Sequence, residues 1–405
     1  MKKILLPILV FCAVTTLQAQ TPASNKADYK TTVTLEQPKT NMKGSEYKFT
    51  VVKTADATAV QNQNQTGTCW SFSSMSFFES ELIRMGKGKD FNFSEMFVAR
   101  KAYPLKADNY VRMHGKANIG EGGGFSDVIH VIRQFGMAPE EAYTGKKNPK
   151  EMHNHSVLEA TIKGIVGAAV NEQNARIDFE AVHNVVEATC DAYLGKVPEK
   201  FNYKGKEYTP KTYADATGIN PDDYILLTSF THHPFYSKFV LEVPDNWNWD
   251  QMYNIPLNEL QETMQNAVNN GFTFAWAADV SEKGFRFKDG LAIVPEKPIS
   301  EMTEEERADM VKKPQPQFKV TQENRQLAFD NYETQDDHGM HIVGMVKDQN
   351  GTPYYIVKNS WGTEKNECDG YFYASESYVL YKTTNIMVHK KAIPAAIAKK
   401  LGIVQ

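Results

Sequence analysis

Apolar positions recur at helical spacing after Cys69, at Phe72, Met75, Phe78, Leu82 and Met85, and Gly86 closes the run. That period predicts a helix whose first turn carries Cys69. Another helix begins at Phe93-Ser94-Glu95 and runs through Met96, Phe97, Val98 and Ala102 towards Tyr103-Pro104. After the glycine cluster Gly120-Glu121-Gly122-Gly123-Gly124, Ser126 and Asp127 cap a third. Its apolar face is Val128, Ile129, Val131, Ile132 and Phe135, and Gly136 stops it. Helical periods also mark Asp178–Leu194 (face Val182, Val185, Val186, Thr189, Tyr193) and Pro256–Asn269 (face Leu257, Leu260, Met264, Val268). Strand patterns occur at Tyr47–Lys53, Tyr224–Leu227 and Phe272–Ala277. The C-terminal third is β-rich: His338–Val346, a turn at Asp348–Gly351, then Tyr354–Gly362 and Gly370–Ala374. Asn350-Gly351 between two apolar runs is a hairpin signal.

The first residues change the picture of where the fold starts. Met1-Lys2-Lys3, a short apolar run from Ile4 to Val14, and Ala19 form the pattern of a signal peptide cleaved after Ala19. It is too short to span a bilayer, so an exported, periplasmic or secreted protein is expected, with no membrane attachment after cleavage. The polar stretch that follows, to residue 44, reads as a flexible leader. The formal charge is -4 and spread along the chain, which argues against nucleic-acid binding. Beyond Cys12 there remain Cys69, Cys190 and Cys368, too few and too odd a number for a disulfide scaffold.

Cys69 at a helix start is suited to be a nucleophile, because backbone N–H groups there favour a thiolate. Such a thiol needs a base, and His338 or His341 on a strand can serve; the two point to opposite faces. Asn359, in Lys-Asn-Ser-Trp-Gly, can orient the imidazole. Gln61, Gln63 or Gln65, with a backbone N–H, can hold an oxyanion. The glycine cluster lacks the features of a phosphate loop and suits a tight turn or close approach of an extended ligand backbone. His232-His233 and His153/His155 lack ligand spacing on a regular element, so packing or surface roles are expected and no metal.

Gln63, Cys69-Trp70, Asp337-His338-Gly339 and Asn359-Ser360-Trp361-Gly362 resemble, in order, the active-site blocks of the papain-like cysteine peptidases. The resemblance implies a Cys69-His338-Asn359 triad, Gln63 in the oxyanion hole, Trp361 shielding the His338–Asn359 bond, Trp70 beside the nucleophile, and Gly122 and Gly123 binding substrate backbone. It implies no cofactor. Thr66 stands where papain-type enzymes commonly have a cysteine, and the Cys-to-His interval is long. Both features are similar to the bleomycin hydrolase and aminopeptidase C branch. The fold implied is α+β: a papain-like helical half (residues 45–143), a large, mainly helical hook insertion with returning strands (144–335), a β-barrel-like half (336–391) and a tail (392–405). In that branch hooks assemble six subunits, and the C-terminus lies in the cleft and gives aminopeptidase action on peptides. An endopeptidase with an open cleft and a non-catalytic papain-like scaffold are the alternatives.

Overall fold

The computed structural model describes residues 40–171 and 176–405. The expected signal peptide, and the leader up to residue 39, lie outside the described residues. Residues 40–44 are tied in: the Asn41 amide donates to the carbonyls of Asp289 and Val311 at 2.8 Å.

Helices dominate the first half. After strand β1 (Thr50–Thr54) come α1 (Cys69–Arg84), α2 (Glu95–Arg112), α3 (Phe125–Phe135), α4 (Ser156–Asn171) and α5 (Phe179–Leu194). A small hairpin, β2 (Phe201–Tyr203) and β3 (Lys206–Tyr208), leads to α6 (Pro210–Thr217). Then β4 (Tyr224–Thr228), β5 (Lys238–Val240) and β6 (Gln251–Asn254) precede α7 (Leu257–Asn269) and β7 (Phe274–Ala278). The short β8 (Phe285–Arg286) and β9 (Leu291–Ala292) are followed by α8 (Glu304–Asp309) and α9 (Gln322–Asp330). The last elements are β10 (His338–Lys347), β11 (Pro353–Lys358), β12 (Tyr371–Ser375), α10 (Glu376–Lys382), β13 (Thr383–His389) and α11 (Ala395–Lys400).

One sheet runs β5-β6-β4-β13-β7-β10-β11-β12-β9-β8. The residues of β7 show how it is sandwiched. Phe274, Trp276 and Ala278 face a core shared with α7, α10 and α11, whereas Ala275 and Ala277 face the core of α1 to α6. A strand covered on both faces must be apolar throughout, and Phe274–Ala278 is a continuous apolar run. At the centre, β10 uses its first half, His338–Ile342, to pair with β7 and its second half to pair with β1; a register shift between Ile342 and Gly344 separates the two. The hairpin turn falls where Asn350-Gly351 predicts it, with Gly351 at φ 86°.

Differences from the expected elements have local causes. Helix α2 does not end near Pro104 but passes through it to Arg112. A proline inside a helix costs about 3 kcal/mol, and burial of Ala102, Tyr103, Ala107 and Val111 offsets it. Helix α3 starts two residues early: Gly124 is the N-cap, and Asp127 sits in the first turn accepting the Gly124 N–H at 2.8 Å. On α5 the buried seam is Val186, Cys190 and Leu194, while Val185 and Tyr193 face outward. Helix α4 was not expected; Leu158, Ile162 and Val166 form its narrow buried stripe. The segment 144–335 therefore divides: α4 to α6 join the helical core, and β4 to β7 join the main sheet.

Candidate active site

Cys69 is the first residue of α1, after Thr68 as N-cap. The chain just before it is pinned to the β half. The Gln63 N–H donates to the Ser360 carbonyl at 2.9 Å, and the Gly362 N–H donates to the Gln61 carbonyl at 3.1 Å. This bridge brings the Gln63–Cys69 stretch alongside Asn359 to Gly362. Gln63 is buried, accepts from Ser360 Oγ and donates to the Thr66 carbonyl, both at 2.6 Å. The Gln61 side chain reaches towards Asn92 and that of Gln65 pairs with Asn154 on the surface, so of the three side chains it is that of Gln63 that bonds the Asn359 segment.

His338 and His341 separate as their strand parity requires. His341 turns to α1, where its Nδ1 meets Ser76 Oγ at 2.9 Å. His338 donates from Nε2 to Asn359 Oδ1 at 2.8 Å. That bond leaves Nδ1 as the basic nitrogen for the thiol. The Trp361 ring lies over the imidazole, with centroids 4.8 Å apart and planes 31° apart, and covers the hydrogen bond. Cys69 and His338 line one cleft with Gly123, Gly124 and Phe125. Strand β10 comes unusually close to α1 there: a Cβ at Gly339 would stand 3.2 Å from the Trp70 Cα. Trp70 is buried beneath the glycine loop and donates from its indole to the Glu121 carbonyl at 3.1 Å.

The electrostatics differ from the helix-start expectation. Burial pushes the Cys69 thiol up to about 12, against a backbone hydrogen bond from Gly339, and the Asp245 and Asp336 charges add to the rise. Burial pulls the His338 imidazole down to about 4, opposed by its bond to Asn359 and by Asp337. For each group desolvation, which disfavours the charged form, is the largest influence.

Of the two glycines assigned to substrate backbone, Gly123 lines the cleft, and a Cβ on it would stand 2.7 Å from Asp127 Oδ2 and 3.0 Å from the Trp70 ring. Gly122 is instead capped by Asp245: a Cβ there would overlap that carboxylate. Gly124 takes its place on the cleft wall. Asp245, Asp336 and Asn385 also line the cleft and were not singled out from the sequence. The one signal was the dense Val243-Pro244-Asp245-Asn246-Trp247-Asn248-Trp249-Asp250 run.

The C-terminal tail lies elsewhere. Ile397, Ala398, Leu401 and Ile403 pack into the core beside α7. Gln405 donates to the Lys390 and Ile393 carbonyls at 2.9 and 2.5 Å. The apolar residues of the tail dock on the body of the fold, and residues 392–405 are not among those lining the cleft. The other histidine pairs are accounted for locally. His155 meets the Tyr103 hydroxyl at 2.7 Å in the core. His232 and His233 both bond Glu242, at 3.0 and 2.7 Å, and the Gln326 amide is on the far nitrogen of His232.

Comparison with known proteins follows the same lines. Aminopeptidase W of Lactobacillus delbrueckii subsp. lactis is 23% identical over 84% of this chain and 83% of its own. Aminopeptidase C of Lactobacillus helveticus is 22% identical over 84% and 81%. The solved structure of PepW from Lactobacillus rhamnosis superposes with a TM-score of 0.65 at 18% identity, over 87% of this chain and 84% of that one. It has the same fold. The model of the Peptidase C1-like family matches residues 104–403, about three quarters of the sequence, and the chain belongs to that family, the papain-like cysteine peptidases.

Proposed function

We propose that this chain is a cysteine aminopeptidase acting on peptides, with Cys69 as nucleophile and His338 as acid–base partner. The observation that carries the chemistry is the His338–Asn359 bond under Trp361, in the cleft that Cys69 shares. As the thiol attacks a scissile carbonyl, its proton passes to His338 Nδ1, which later protonates the leaving amine. Water, deprotonated by His338, then hydrolyses the thioester. The Cys69 N–H and the Gln63 amide stabilise the oxyanion. No metal or organic cofactor takes part. The amino-terminal preference is supported by the names of the relatives, and export by the Met1–Ala19 pattern. Self-association, into six copies by the resemblance, is supported by the apolar residues left outside on α4 and α5.

A second reading has an observation behind it. With the tail docked away from the cleft, the blockade that defines aminopeptidases of this branch is missing, and an open endopeptidase cleft would follow. Two assays separate the readings. Cys69 should react with a thiol-directed epoxide far faster than the buried Cys190 and Cys368; equal reactivity of the three removes the peptidase assignment altogether. A dipeptide fluorogenic substrate with a free amine should be cleaved much faster than its N-blocked twin; parity between them favours the endopeptidase.

A further inference from the structure

The segment between β5 and β6 is built as a strap. It leaves the sheet edge at Val240 and reaches across to the helical half. There the Trp247 indole donates to Asp127 Oδ2 on α3 at 2.8 Å, and Asn109 on α2 donates to the Trp247 carbonyl at 2.7 Å. His130 on α3 meets Asp250 at 2.8 Å. Inside the strap, the buried Asn246 side chain is bonded to the Leu241 and Asp250 backbone, which fixes its course. The strap closes the cleft beside the glycine loop, and its Asp245 side chain rests on Gly122.

Three acceptors converge there. Asp245 has Asn118 Nδ2 on one oxygen at 2.7 Å, and it lines the same cleft as Cys69 and His338. Asp336 lines it from the other wall and accepts the Asp245 backbone N–H. Asn385, only 5% exposed, also lines it, and its Oδ1 has no hydrogen-bond partner among the described residues. One cation is near: the buried Lys106 ammonium, which donates to the Gly120 and Gly122 carbonyls and holds the glycine loop. Two carboxyl groups and an unpaired amide oxygen facing one spent ammonium leave a cleft wall rich in acceptors. Burial, with Asp245 and Asp337 nearby, pushes the Asp336 carboxyl up to about 8, as befits a group short of a cationic partner.

We infer that Asp245, with Asp336 and Asn385, is the anchor for the α-ammonium group of a peptide substrate, held by an internal strap and not by the chain's C-terminus. The inference rests on the aminopeptidase reading and names its specificity determinant. A primary ammonium supplies three donors, matching the three acceptors. A blocked or longer amino-terminal side would bury an uncompensated carboxylate against an uncharged group.

The test uses the full mature chain with an aminoacyl fluorogenic amide and its N-acetyl twin. Asp245→Asn and, separately, Asp336→Asn should raise KM for the free-amine substrate at least tenfold and shrink the free-to-blocked preference by the same factor. Cys69 should be alkylated by uncharged iodoacetamide no more slowly than in the wild type, because removing either charge eases ionisation of the thiol. A variant that holds the wild-type preference overturns the anchor and leaves the aminopeptidase reading intact. Absence of any free-amine preference in the wild type overturns both. Should the variants fail to fold, the wild-type chain still decides. Leucinamide should slow Cys69 alkylation and N-acetyl-leucinamide at equal concentration should not; equal protection by the two overturns the anchor.

Discussion

Asn359 gives its Oδ1 to two donors, His338 Nε2 and the Ser360 N–H, both at 2.8 Å. Its value to the site is geometric, since it fixes which imidazole nitrogen faces Cys69. Asn359→Ala should lower kcat about 10- to 100-fold, with KM little changed, because the ring loses its orientation but keeps its basic nitrogen. Gln63 is placed as firmly, between Ser360 and Thr66. Gln63→Ala should lower kcat about 100-fold while Cys69 alkylation continues, the signature of a lost oxyanion donor. Steady-state kinetics beside alkylation rates check both. Gly122 carries a different consequence. A methyl group there displaces the Asp245 carboxylate, so Gly122→Ala should raise KM for free-amine substrates while Cys69 remains open to alkylation. Unchanged KM would mean that Asp245 can move without loss.

At the scale of elements, the strap is the part that sequence could not supply. Its Asp245 meets Gly122 across more than a hundred residues, and no local period records such a meeting. The blocks of the candidate site were legible because each is a short run whose chemistry is written in its side chains: a thiol at a helix start, an imidazole on a strand, an amide beside a tryptophan. Helix α1 and strand β7 were legible for the related reason that burial imposes a clear apolar pattern on them. Helix α2 beyond Pro104 was not, since tertiary burial overrode a local stop signal. Helix α4 was not either, since only Leu158, Ile162 and Val166 are fully buried on it. The burial of the Cys69 thiol also escaped local reading, because the cleft around it is assembled from distant segments. The strap has its own prediction. Trp247→Phe removes the hydrogen bond to Asp127 and should destabilise the fold by about 1–2 kcal/mol. Urea denaturation reads that loss. If the strap closes the cleft, the same variant should also gain cleavage of blocked substrates.

Across the whole molecule several carboxyls are shifted upward by desolvation. Burial raises Asp127 to about 7, and Glu140 and Asp336 to about 8. The native chain thus holds protons near neutrality that an unfolded chain, with carboxyls near 4, has released. Stability from these groups is complete in acid and drains away as pH rises towards 8. Buried His153, His155 and His338 act in the opposite sense: lowered to about 3, 4 and 4, they weaken the fold as pH falls below the ordinary histidine value. Above pH about 6.5 the carboxyls therefore dominate, and the melting temperature should fall between pH 6.5 and 8; a rise across that interval contradicts the buried-carboxyl account. The proposed self-association makes the last demand on the molecule. Helices α4 and α5 lie side by side on α2, yet Val157, Phe179, Val185 and Tyr193 remain 62%, 36%, 49% and 40% exposed. Large apolar side chains left exposed on neighbouring helices outside a finished core are what a subunit contact needs. If copies of the chain meet through this face, light scattering at micromolar concentration should give a multiple of the chain mass. Val185→Asp with Tyr193→Asp should reduce it to a monomer in which Cys69 still alkylates at the native rate, because neither residue lines the cleft. A monomeric wild type, or a double variant that keeps its mass, would place the contact elsewhere or remove it.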